Sequence, residues 1–257
     1  MKRLRAVLLG LALPAVLLLT WQLVTTYTDV PRSILPDPPS VWEAFLRMVG
    51  KGQLQQDLGV SLLRVVKGFL AAAFLGMTAG TLMGGSRIVR ELLGPLLNTL
   101  RQIPMIAWTP LVILWCGIGE KSKVVMIVVA AFFPILLNTM NGVAGTPHAY
   151  REVASLYRLG RWRTFLRVIC PHALPHILVG LKMGLGISWM SLIAAELIAG
   201  TSGIGYRIQN ARSLLHSDEV LVCMILIGLV GVAMDKCLGL LFRVLTPWER
   251  TGGGSHG

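Results

Sequence analysis

The chain has 257 residues, 54% of them hydrophobic and 14% charged, with 28 glycines and a mean hydropathy of +0.68. An ordinary soluble domain carries about 25% charge, so these side chains cannot cover a water-facing surface, which argues against a soluble enzyme or a disordered regulator and for the bilayer as solvent. A net charge of +12 would suggest nucleic acid in a soluble protein, so the position of the charges decides their meaning.

A spanning helix needs about 20 mostly apolar residues, and six stretches meet that length. The first, 6–27, follows a Met-Lys-Arg-Leu-Arg start. That start imitates a secretion signal, but the apolar run continues through Trp21, Leu23 and Val24 without a small-residue cleavage site, so an uncleaved span is expected. The second, 58–84, carries Gly76, Gly80 and Gly84 in register with Ala72 one turn earlier. Residues four apart share a helix face, and small ones let a second backbone approach. The third, 92–117, is interrupted by Pro95, Pro104 and Pro110. Irregular backbone at membrane depth survives only inside protein or beside water, so Arg101, Gln102, Pro104 and Trp108 are candidates for a pathway lining; a kinked interfacial helix is the other reading.

The fourth stretch is 124–143 and the fifth 174–199. The fifth repeats the small-residue device with Gly180, Gly184 and Ser188, and near its end holds Glu196, with Trp189 two turns back. An intramembrane carboxylate faces protein or water; Glu196 and Trp189 could support an outer gate or solute path, or Glu196 could bond a neighbouring helix or loop. The sixth stretch is 220–244.

Between the fourth and fifth lies TPHAYREVASLYRLGRWRTFLRVICPHALP. Thr146 can cap a helix that has Pro147 first and Gly160 at its end. Ala149, Val153, Leu156 and Tyr157 give it an apolar face, and His148, Arg151, Ser155 and Arg158 a polar one. A second short helix with the stripe Trp162, Phe165, Leu166 and Ile169 is expected to stop at Pro171. A connector lying on lipid headgroups fits this pattern.

Lys/Arg bias sets orientation. With the N-terminus inside, the inner segments hold twelve cations against three acids, while the outer segments hold seven of each. Both termini are therefore expected in the cytoplasm, and the excess charge reports topology rather than nucleic acid. Cys116, Cys170, Cys223 and Cys237 have no metal-ligand spacing and read as small buried hydrophobes. Gly117–Ser122 imitates a P-loop but lacks its Gly-Lys pair. No catalytic set, cofactor site or metal site is expected, so the chain reads as no enzyme. A secondary transporter would show paired broken helices in internal repeats, and only one span is strongly broken.

The loop resembles the cytoplasmic signature of permease subunits of bacterial binding-protein-dependent ATP-binding cassette importers: Glu-Ala-Ala, three residues, Gly, nine residues, Ile, one residue, Leu-Pro. Glu152, Val153 and Ala154 stand for the triplet, Val168 and Cys170 for the Ile and Leu, and Pro171 for the proline. Arg158 stands where glycine is expected, with Gly160 two residues later. The segments SLLRVVKGF, RQIPMIAWTPLVILWCGIGEKSK, AFFPILLNT and AAELIAGTSGIGYRI are similar to the nitrate, sulfonate, taurine and bicarbonate branch, over about 58–245.

The resemblance implies an all-α, polytopic fold of about six transmembrane helices, MetI-like. It divides the chain into an N-terminal helix and periplasmic segment (1–56), a permease core (57–245) with a coupling loop (146–172), and a short cytoplasmic tail (246–257). It implies a multi-pass protein of the bacterial inner membrane, paired with a second permease copy as a homodimer around a central path, with lipid around it. It further implies that an ATPase subunit that uses ATP and Mg docks on the loop through Glu152, Ala154, Leu156, Tyr157, Arg158, Leu159, Gly160 and Pro171, and that a periplasmic binding protein delivers the solute. The alternative is a secondary transporter or channel not coupled to ATP.

Overall fold

Three helices built around glycines make the centre of the molecule. In a computed structural model, which describes residues 2–245 with side chains from 12 to 243, the order is α1 (Lys2–Tyr27), α2 (Pro38–Gly50), α3 (Gln53–Gly85), α4 (Arg87–Leu100), α5 (Met105–Cys116), α6 (Glu120–Ala144), α7 (His148–Leu156), α8 (Arg161–Thr164), a π turn (Phe165–Ile169), α9 (Cys170–Ala199), α10 (Ile204–Ser213) and α11 (Ser217–Leu245). No strand occurs among the described residues. The tail 246–257 and the side chains of Lys2, Arg3 and Arg5 lie outside the described residues.

The small-residue faces converge on α6. A Cβ on Gly80 would sit 2.6 Å from the Leu136 carbonyl oxygen and 2.7 Å from Thr139 Cβ, and one on Gly84 2.7 Å from Val143 Cβ. Gly68 and Gly76 meet Ile127 and Ile135 in the same way, so α3 runs parallel to α6 with its backbone pressed against it. From the other side α9 runs antiparallel: Gly180 meets Asn138 and Pro134, Gly184 meets Ile135, and Gly142 of α6 meets Ala173 and His176. Where lipid supplies no hydrophobic drive, such close approach is what gains dispersion energy.

Among the described residues four helices are long and apolar enough to cross a membrane, Gln53–Gly85, Glu120–Ala144, Arg161–Ala199 and Ser217–Arg243, and Ala12–Tyr27 and Met105–Cys116 are shorter apolar segments. The expected third span is two helices. α4 ends at Leu100 and α5 begins at Met105, with residues 101–104 between them. The segment 28–56, expected as a periplasmic stretch, contains α2, an amphipathic helix burying Val41, Ala44 and Met48, and the first turn of α3, whose helix starts before the apolar run does.

The second loop helix does not stop at Pro171. α8 passes through the π turn into α9, making one helical run from Arg161 to Ala199. The Cys170 N–H reaches back five residues to the Phe165 carbonyl. Widening the turn ahead of Pro171 accommodates a ring that has no N–H to give and would clash with the preceding turn. Thr146 does not cap α7 either; its hydroxyl donates to the Val143 carbonyl at 3.1 Å and closes the end of α6.

Candidate functional site

Three places carry functional geometry: a buried ionic cluster where α6 begins, the cavity at the α4–α5 break, and the helical hairpin that follows α6.

On α3, Asp57, Ser61 and Arg64 follow at spacings of four and three, on one face. That face meets Glu196 of α9, which is 0% exposed. Its carboxylate accepts hydrogen bonds from Arg64 Nη1 (2.6 Å), the Ser61 hydroxyl (2.9 and 3.0 Å) and the Gly205 backbone N–H (2.9 Å). Arg64, 2% exposed, also donates to the Ser202 carbonyl (2.8 Å), the Ser202 hydroxyl (2.7 Å) and both oxygens of Glu120, its Nε lying 2.7 Å from one of them. One turn away, Asp57 accepts from the Gly203 N–H (3.1 Å) and from Arg207 Nε (2.8 Å). The Ser61 hydroxyl accepts from the Ile204 N–H at 3.1 Å.

Gly203 has φ +104°, and a Cβ there would overlap the Glu196 carboxylate. Only a glycine lets the α9–α10 connector close over the acid in that left-handed conformation. Glu196 and Arg64 thus have their hydrogen-bonding capacity met within the chain. Charge-assisted bonds of this kind hold geometry, and the cluster ties α3, α6, α9 and α10 together. The exception is Lys123 of α6, whose Nζ is buried and has no hydrogen-bond partner.

The second place is a cavity of about 410 Å³. Arg101, Pro104 and Trp108 line it from the break, Phe133, Pro134 and Asn138 from α6, and Met183 and Ile187 from α9. The α4–α5 break therefore brings three of the six predicted pathway residues to one space. The other three lie elsewhere: Gln102 is exposed beside the break and is not part of the lining. Glu196 is closed inside the ionic cluster, and Trp189 is buried, its indole N–H donating to the Ile227 carbonyl of α11 at 3.1 Å.

The third place is the α7–α8 hairpin, at the opposite end of α6 from Glu120. Arg151 anchors it, donating to the Val143 carbonyl at 3.1 Å. Ala154 is buried against the chain itself. Leu159 is half-buried and Val153 and Gly160 exposed. Glu152 pairs with His148 at 2.9 Å on the exposed side. Leu156, Tyr157 and Trp162 are left uncovered, at 80%, 78% and 70% exposure.

The turn that ends α7 lies at Arg158, not at Gly160. Arg158 has φ +52°. The Leu159 N–H bonds the Ala154 carbonyl at 3.0 Å and the Arg158 N–H the Ser155 carbonyl at 2.9 Å. Those two bonds with a left-handed residue make a Schellman ending. Gly160 has φ −63° and needs no glycine. The arginine occupies the left-handed geometry for which glycine is suited, so the departure changes the residue and keeps the turn.

The sequence profile of the binding-protein-dependent transport system inner membrane components matches residues 58–251. The chain belongs to that family. It is 37% identical over 250 residues to the taurine transport system permease protein TauC of Escherichia coli K12, covering 95% of this chain and 91% of TauC. It is 33% identical to the nitrate import permease protein NrtB of Synechocystis, over 92% of this chain and 88% of NrtB. Among solved structures, the fold is shared with an inward-facing form of the MetNI methionine ABC transporter, with a TM-score of 0.51 and 18% identity over 78% of this chain and 98% of that one. The expected membrane-integral, all-helical permease fold is thereby established, as is the assignment to the ABC importer permeases. These relatives are named as transport and import permeases.

The residues that sequence reading missed are Ser61, Arg64, Asp57 and Glu120. A signal was present: a polar stripe of Asp57, Ser61 and Arg64 on the same helix as a glycine stripe needs a buried partner.

Proposed function

We propose that this permease forms one half of a solute path through the bacterial inner membrane, pairing with a second copy of itself, with both termini in the cytoplasm. The α7–α8 hairpin docks on a separate ATPase subunit, which binds ATP and Mg, and a periplasmic binding protein supplies the solute at the Glu196 end. Residues 1–56 form the peripheral helix and periplasmic segment, 57–245 the permease core and 246–257 the tail. The cargo class is a small anion with charge spread over oxygens, such as a sulfonate, nitrate or bicarbonate. Taurine and nitrate, cargoes named for two relatives, share that chemistry.

The observation that carries this reading is the uncovered apolar tip of the hairpin. Leu156, Tyr157 and Trp162 stand out at one end of the bundle, on a turn fixed by the Arg158 bonds and rooted by Arg151. Large apolar side chains on a rigid, polar-flanked projection are the anchors of a protein partner.

Changing both Leu156 and Tyr157 to Asp tests it, because neither is packed in the fold. Membrane insertion is expected to persist while recovery of the ATPase with the permease falls at least about tenfold, the effect of losing one anchor. Unchanged recovery and unchanged ATP-driven uptake would defeat the proposal. Alanine at Arg101 and Trp108 tests the path separately, through uptake kinetics with ATPase docking intact.

A further inference from the structure

Two cavities lie in succession along α9. Besides the one at Arg101 and Trp108, a second of about 270 Å³ is lined by Thr109 of α5, Met126 of α6 and Met190 and Ser191 of α9, among others. Met105 and Ile187 line both, so they share a wall. On α9, Met183, Ile187, Met190 or Ser191, and Ala194 recur every three or four residues, a single helical stripe that passes from the first cavity to the second.

Thr109 is the unusual member. Several threonines in the other helices satisfy their hydroxyls on the carbonyl four residues back, as Thr20 does on Val16 (2.8 Å), Thr78 on Phe74 (2.7 Å) and Thr99 on Pro95 (3.0 Å). The Thr109 hydroxyl is buried and has no partner, and it belongs to a cavity wall. Its neighbour Pro110 has no N–H to offer the carbonyl of Ile106, which lines the same cavity. Thr139 also lacks a partner, but it lies in the α3–α6 seam against Gly80. Unpaired polar groups on a cavity wall are satisfied by what fills the cavity, and the thioethers of Met105, Met126 and Met190 give the wall adaptable shape.

We infer that the Thr109 cavity continues the solute route, and that the Thr109 hydroxyl hydrogen-bonds the polar solute, or the water around it, as it passes. This rests on the reading of the Arg101–Trp108 cavity as part of that route.

The test is thiol accessibility in membrane vesicles carrying the assembled importer, with Cys116, Cys170, Cys223 and Cys237 changed to serine or alanine. The probe is an anionic methanethiosulfonate that itself bears a sulfonate. Thr109→Cys is expected to react at least about tenfold faster than Thr139→Cys, since reaction requires access for the anion. Equal rates at the two positions would overturn the inference. If Trp108→Cys reacts while Thr109→Cys does not, the route reading stands and this extension fails. If neither reacts, both fail.

Discussion

Arg64→Ala is the most informative single perturbation of the ionic cluster. The change removes the guanidinium from two carboxylates whose surroundings differ sharply: Glu196 is 0% exposed, Glu120 64%. The Glu120 arm is at the surface and is worth about 0–1 kcal/mol. The Glu196 arm is different in kind, because truncation leaves a buried carboxylate with only Ser61 and the Gly205 N–H to serve it. Removing one partner of a buried pair costs about 3–5 kcal/mol, so Arg64→Ala should lower stability by that amount and Glu120→Gln by less than about 1 kcal/mol. For a chain of this size the former corresponds to a melting temperature lower by about 10 °C, readable by thiol-reactive dye or light-scattering melts in detergent. Arg64→Lys should recover little, since a single ammonium cannot reproduce the forked contacts to Glu196, Ser202 and Glu120. A melting temperature for Arg64→Ala within about 2 °C of the parent, the shift that less than about 1 kcal/mol would give, would refute the claim that this cluster ties the helices.

Other substitutions test the remaining structure. Gly80→Leu should separate α3 from α6 and abolish stable folding, seen as loss of a monodisperse detergent peak, whereas Gly94→Ala, with open space around it, should be neutral or stabilising by about 0.5–1 kcal/mol. Arg158→Gly should relieve the left-handed strain at the end of α7 and stabilise the hairpin by about 1 kcal/mol, measured as slower proteolysis there. Lys123→Met should be neutral or stabilising by about 1–4 kcal/mol, because it removes a buried ammonium that lacks a hydrogen-bond partner; a destabilised variant would show that the charge is compensated. The Ser40 hydroxyl holds the Asp37 carboxyl below the usual carboxylate range against the opposing effect of burial, with Arg32 assisting. A depressed folded-state value stabilises above the unfolded pKa and is lost as pH falls through the folded one, so Ser40→Ala should weaken α2 near neutral pH and make little difference in acid, checked by melts across pH.

The spans were legible because periodicity and length are local properties. The glycine registers of α3 and α9 pointed at close packing for the same reason, and the prolines around 104 marked the break that gathers Arg101 and Trp108. The partner of Glu196 was not legible, since Ser61 and Arg64 lie 135 and 132 residues away and meet it only once α3 and α9 have both packed on α6. The apolar face assigned to α7 gave no hint that Ala154 is the residue buried against its own chain, because periodicity cannot tell which side of a short helix turns inward. At Pro171 the local rule for stopping a helix lost to a π turn, a widening that leaves no residue-level signature. Arg158 shows the limit of reading glycine as geometry: hydrogen bonds at 154 and 155 hold the turn with another residue in place.

The helical run Arg161–Ala199 is 39 residues long, about 58 Å at 1.5 Å per residue. Its first turn sits under Trp162, its middle is pinned to α6 through Gly180 and Gly184, and its last turn carries Glu196. No loop lies between these points to absorb strain. A displacement imposed at the hairpin has three outlets: bending between Phe165 and Pro175, where the π turn and two prolines thin the hydrogen-bond ladder; slippage at the glycine seam; or motion at the glutamate. The stiffness of the first outlet therefore sets how much of a push on one face of the membrane is felt at the other.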